Sequence, residues 1–184
     1  MRIADGVDPT PRWRHVMPAA TTDLEMDAAQ IERLLAAARE TVDRLPYCWV
    51  ATRAEEGGAH ARAVRIFASP KGHDEWTRRF LCRRGSRKVA EIRRDPLVTL
   101  AWQDNSGDMY VALGGRVSLL EDRNEMRELW PASVDALYPE GFADANMIVA
   151  RDEIHARGIT REPFGHGRTL LRRDAAGAWR FIPD

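Results

Sequence analysis

A chain of 184 residues with 44% hydrophobic and 30% charged side chains is long enough to bury one substantial core. Its 28 basic residues balance 28 acidic ones, which excludes a whole-molecule field that would draw it to nucleic acid or an anionic membrane. The cysteines, Cys48 and Cys82, stand in no Cys-x-x-Cys or Cys/His ligand spacing, so neither a disulfide framework nor a metal site is expected.

Residues 1–22 are Pro-rich and charged without a period; they read as an arm, loose or draped over a neighbour, ahead of one domain over 23–184. That N-terminal stretch holds no apolar secretion segment, and no later run is long enough to span a membrane, so a cytoplasmic protein without membrane partners is expected. From Asp27, the apolar positions Ile31, Leu34, Leu35, Ala38, Val42 and Leu45 recur at helical spacing. Asp27 and Gln30 form a capping pair, and Pro46 ends the helix. Next come short runs rich in β-branched and aromatic residues, Tyr47–Thr52, His60–Phe67, Arg79–Cys82 and Leu97–Trp102. Glu56-Gly57-Gly58 and Pro70-Lys71-Gly72 separate the first three as hairpin turns. Between the third and fourth, Gly85 to Arg94 predicts a short helix with Ser86 as its cap and Pro96 as its stop. Met109–Leu120 is the longest strand, and Gly114-Gly115 within it suggests a bulge or sharp coil where the sheet curls. A helix capped at Asp122 follows, with Met126, Leu129 and Trp130 before Pro131. Strands are then expected at Met147–His155, Thr169–Arg172 and Trp179–Ile182, with loops over 132–145 and 157–167. The sum is a mostly β, α+β domain: a six- to seven-stranded antiparallel barrel with flanking helices.

The chemistry concentrates in 78–94, which carries basic residues at 78, 79, 83, 84, 87, 88, 93 and 94. Ser86, Arg87 and Lys88 fall on the first turn of the predicted helix, where free backbone N–H groups and the positive dipole end favour a phosphate. A solvated Arg-rich surface is the plainer account of such a cluster. Period two in His60–Phe67 puts Arg62 and Val64 on one face of that strand and Arg65 and Phe67 on the other.

In order along the chain stand Arg62-Ala63-Val64, Phe80-Leu81-Cys82, Gly85-Ser86-Arg87-Lys88, Asp95-Pro96 and Gly114. This series resembles the FMN-binding part of the pyridoxamine 5′-phosphate oxidase family, especially its bacterial general stress protein branch, over about Arg33 to Trp130. The resemblance implies a split β-barrel homodimer with FMN across the interface. Arg62 and Lys88 would clamp the phosphate with Ser86 and Arg87, the backbone of Ala63, Val64, Arg65 and Ile66 would run beside the ring, and Leu81 and Cys82 would line the ribityl path. Met109 stands at the place of a flavin-contacting glutamine. His166-Gly167-Arg168 is similar to a His-x-Arg strand whose arginine touches the neighbour's flavin, so Arg168 is a cofactor residue and His166, with Tyr110, a substrate residue. Phe67 and Phe164 replace a lysine and an arginine of the oxidases, which argues against a pyridoxal-type phosphate as substrate. The activity implied is hydride or electron transfer between flavin and a small organic molecule or nicotinamide.

Alternatives stay open at the level of sequence. The cofactor is FMN, with a deazaflavin or haem as alternatives used by barrel relatives. A flavin store or stress sensor without turnover carries the same residues. A nucleic-acid-binding barrel would use 78–94 with Trp76 and Phe80 as stacking groups. His60, His73 and His155 have no partner at a recognisable catalytic spacing, Cys48 and Cys82 read as small buried hydrophobes, and Trp49, Trp102 and Trp179 read as core-facing strand residues. Trp130 reads as core packing before cofactor contact.

Overall fold

Helix α1, Ala28–Arg44, starts at the expected capping box: the Asp27 carboxylate accepts from the Gln30 backbone N–H at 2.7 Å, and the Gln30 side chain accepts from the Asp27 N–H at 2.8 Å. Its stripe of Leu35, Ala38, Thr41 and Val42 is buried, with Ile31, Leu34 and Leu45 packed at the margin. The computed structural model describes residues 26–68, 72–104, 109–135, 140–154, 159–161 and 170–182. The expected arm at 1–22 lies outside them.

Strands β1 (Tyr47–Arg53), β2 (Ala59–Arg65), β3 (Arg78–Arg83), β4 (Leu97–Asp104), β5 (Met109–Leu120) and β6 (Met147–Ile154) form a sheet in the order β2-β1-β4-β5-β6-β3, antiparallel throughout. The sheet curls until its two edge strands meet at one point. There Phe67 and Arg79 exchange backbone hydrogen bonds of 2.8 and 3.0 Å, closing the barrel. Beyond that bridge, among the described residues, β2 pairs only with β1 and β3 only with β6, so the barrel is split between these two edge strands. Alternation supplies the core: Cys48, Val50, Leu100, Trp102, Val111, Leu113 and Phe80 are buried together. At the β1–β2 turn Gly57 and Gly58 take positive φ of 97° and 75°, the left-handed region that a side chain disfavours.

Helix α2 (Arg87–Arg94) buries Val89, Glu91 and Ile92 at one end of the barrel, while α1 covers the other, where its Arg44 pairs with Asp104. Helix α3 (Arg123–Leu129) is capped by Asp122, whose carboxylate accepts from the N–H groups of Asn124 and Glu125. The strands β7 (Ile159–Arg161), β8 (Leu171–Arg173) and β9 (Trp179–Phe181) complete the fold. β7 pairs with the start of β5, and β8–β9 form a hairpin that puts Leu171 in the core.

Four expectations need correction. The register of β4 against β5 runs unbroken from Leu97↔Arg116 to Asp104↔Met109, so Gly114-Gly115 makes no bulge. The break lies on the other edge of β5, which pairs with β7 at 109–111 and with β6 at 115–120. Ser86 occupies the cap position of α2, but its side chain makes no capping hydrogen bond. Trp49 is 54% exposed, because Cys48, Val50 and Thr52 take the inward positions of β1. Finally, β7 falls where a loop was expected.

Candidate cofactor site

Strand β2 faces as its period requires: Val64 and Ile66 are buried, and Arg62, on the same face, turns toward the α2 end of the barrel. Its guanidinium donates to Thr52 Oγ1 and to Glu91 Oε2, both at 2.7 Å. Ala63 and Arg65 lie on the opposite face; Ala63 pairs with Trp49, and the Arg65 guanidinium sits 5.5 Å from the Phe67 ring centroid.

Across the split, Lys88 on α2 reaches back over β3, its Nζ 3.4 Å from the Leu81 carbonyl and 5.1 Å from the Phe80 ring centroid. Cys82, 2% exposed, lies between the two elements. Burial pushes its thiol pKa up, while the Lys88 charge and hydrogen bond and the Arg62 charge pull it down. The Ser86 Oγ is buried and has no hydrogen-bond partner, a costly state for a hydroxyl unless something else supplies one. Arg62 thus lies on β2, Leu81 and Cys82 on β3, and Ser86 and Lys88 at the start of α2, the elements that border the split. Arg87 is more exposed, its Nε 3.6 Å from Glu91.

Sequence reading missed the group at the centre. Glu91 is 4% exposed and accepts from Thr52 Oγ1 at 2.5 Å, from Arg62 and from His60 Nδ1 at 2.6 Å. Burial alone would raise its pKa; the hydrogen bonds from Thr52, His60 and Arg62, with the Arg62 charge, hold it down to about 2. The available signal was a carboxylate one position before Ile92, on the face of α2 that also carries Lys88. His60 also differs from expectation: two carboxylates flank it, Glu91 and, at 3.2 Å from Nε2, Glu56.

The rest of the basic segment is spent on structure. Arg78 is buried against Asp43, Arg79 donates to the Ala68 and Leu129 carbonyls, Arg84 and Arg93 share Glu121, and Arg94 meets Glu55. Among the described residues of that segment, Arg79, Arg83 and Lys88 have no acidic partner, and Arg79 is taken up by backbone carbonyls. Trp76 and Phe80 are 1% and 0% exposed, so neither can stack on a base, and the nucleic-acid alternative loses both its charge stripe and its platforms. Trp130 packs edge-on to Phe142 and donates to Asp135. Tyr110 is 39% exposed on the outer sheet face. His166 and Arg168 lie outside the described residues, and of Met109 only the backbone, paired with Asp104 and Arg161, is described.

Residues 35–156 match the family model described as pyridoxamine 5′-phosphate oxidase like. No curated protein matches the chain. Among solved structures, one is a Clostridium acetobutylicum protein related to general stress protein 26, with 19% identity and a TM-score of 0.66 over 77% of this chain and 95% of that one. Another is a pyridoxamine 5′-phosphate oxidase-related, FMN-binding protein of Nostoc punctiforme, with 15% identity and a TM-score of 0.63 over 86% and 100%. The general stress FMN/FAD-binding protein of Xanthomonas citri gives 17% and 0.59 over 74% and 95%. At these identities the likeness is one of fold.

Proposed function

Since the chain belongs to the pyridoxamine 5′-phosphate oxidase like family, we propose that it binds FMN in the split between β2 and β3 and works as a flavin-dependent oxidoreductase. The observation that carries the reading is the buried, partnerless Ser86 hydroxyl at the start of α2, with Lys88 reaching from that helix over β3 to the Leu81 carbonyl and Arg62 standing on the edge strand β2. A phosphate monoester needs cations and oriented donors together, and Arg62, Lys88 and the Ser86 hydroxyl would supply both. Arg62, Ser86, Arg87 and Lys88 hold the phosphate, Leu81 and Cys82 border the ribityl chain, and the backbone from Ala63 to Ile66 supplies polar groups to the ring. Bound flavin supplies hydride or electron transfer at its N5 with a small organic substrate or a nicotinamide. The protein's own part is to bind, orient and shield it.

A second copy of the chain completes the site. Tyr47, Trp49 and Leu97, at 60%, 54% and 56% exposure, share the outward sheet face with Tyr110, and between them stand the small residues Ala63, Ala101, Ala112 and Gly114. So large an apolar face calls for a partner, and a flat two-fold contact covers it. Tyr110 lies on that face; Met109, His166 and Arg168 are proposed to approach the flavin on the family resemblance alone.

The test is an FMN titration. Lys88→Ala weakens binding by about 1.5–3 kcal/mol, the range of a lost charge-assisted hydrogen bond; unchanged affinity contradicts the site. Anaerobic reduction by NADH or NADPH, followed by reoxidation with candidate acceptors, separates an oxidoreductase from a flavin store, which shows no turnover across the panel.

A further inference from the structure

The cation pocket contains a carboxylate that a phosphate site, taken alone, has no use for. Glu91 sits on α2 one turn after Arg87 and Lys88, is 4% exposed, and takes both of its oxygens into hydrogen bonds. On Oε2 the arrangement is closed: Thr52 Oγ1 donates to Glu91 at 2.5 Å and accepts from Arg62 Nη1 at 2.7 Å, while Arg62 Nη2 donates to the same carboxylate oxygen at 2.7 Å. The two guanidinium nitrogens are thereby pinned to two atoms that belong to β1 and α2. Oε1 is held by His60 Nδ1 at 2.6 Å. Three residues from β1 and β2 thus converge on one side chain of α2.

Two physical outcomes are possible for a carboxylate in this position. As an internal anion it would compete with phosphate for Arg62. As an anchor it would remove the rotational freedom of a long, 22% exposed side chain, so that binding no longer has to order it. The geometry favours the anchor. Glu91 and Thr52 take one N–H from each of the two Nη atoms, which leaves the remaining N–H groups of the five-donor guanidinium for a ligand. The surroundings also stay positive, since Arg62, Arg87 and Lys88 outnumber the carboxylates Glu91 and Glu56.

We infer that Glu91 is a positioning residue that fixes Arg62 toward the cofactor phosphate and so sets the preference of the site for a phosphorylated over an unphosphorylated flavin. The inference rests on the cofactor reading above and adds to it a residue that touches no cofactor atom. It acts through Arg62, and Thr52 is the second clamp.

Fluorescence titrations of the full chain with FMN and with riboflavin test it. Wild type binds FMN more tightly than riboflavin. Glu91→Gln weakens FMN by about tenfold, the effect of one misplaced charge-assisted bond, and leaves riboflavin unchanged. In an Arg62→Ala background the same substitution has no further effect, because the residue it positions is gone. Thr52→Val, which disturbs no charge, moves FMN affinity in the same direction by a smaller factor and decides the matter if Glu91→Gln does not fold. FMN binding that is unchanged or tighter in Glu91→Gln overturns the inference in favour of no role or of competition. Equal losses for both flavins, or an equal loss with and without Arg62, assign Glu91 to the scaffold alone and overturn it too. A wild type that does not prefer FMN to riboflavin removes the cofactor reading itself, an outcome distinct from any of these.

Discussion

At Glu91, pairing outweighs burial: a carboxylate that desolvation alone would push up titrates instead near about 2, below its ordinary 4.5, because Thr52, His60 and Arg62 all hydrogen-bond its charged form. A pKa depressed in the folded state contributes stability that is present above 4.5 and is lost as pH falls from there toward about 2. Urea unfolding across that window should show a steep acid limb in wild type and a shallower one in Glu91→Gln; identical slopes contradict the account. Residues differ in how visible their roles are in sequence. Arg62, Ser86 and Lys88 were legible, because a strand period and a helix start say where each side chain points. Glu91, Thr52 and His60 were not, since they meet only once α2 has docked on the β1–β2 hairpin, a contact no local pattern encodes.

At the scale of elements, the buried arginines of β3 hold the split barrel together. Arg79 closes the sheet through its backbone and, through its guanidinium, ties the Ala68 carbonyl after β2 to the Leu129 carbonyl at the end of α3. Arg79→Met leaves both acceptors with one partner fewer and should lower unfolding free energy by about 1–3 kcal/mol. Arg83→Met, on an exposed position of the same strand, should change it by less than about 0.5 kcal/mol. Equal effects in chemical denaturation refute the distinction. Helix and strand positions followed from period and capping, as α1 shows down to its Asp27–Gln30 box. The errors have one cause. Trp49 and Gly114-Gly115 were assigned from residue type, whereas the face of Trp49 and the unbroken β4–β5 register depend on which strands lie alongside. β7 is three residues long, too short for a period to show.

For the molecule as a whole, the proposed function makes the outward face of Tyr47, Trp49, Leu97 and Tyr110 and the split between β2 and β3 two sides of one arrangement, in which two copies would enclose two flavins. Trp49→Glu places a charge in the middle of that face. Light scattering should find wild type at twice the chain mass and this variant at the chain mass, with FMN binding weakened as well; a variant that stays dimeric argues that another surface makes the contact. No helix among the described residues is long and apolar enough to cross a membrane. The claim on which the rest depends is that Arg62 and Lys88 serve one phosphate, and a crystal structure of the chain with FMN tests it most directly. The phosphate should lie within hydrogen-bonding distance of both side chains and of Ser86 Oγ; a phosphate bound elsewhere, with Arg62 and Lys88 facing only protein, would contradict it.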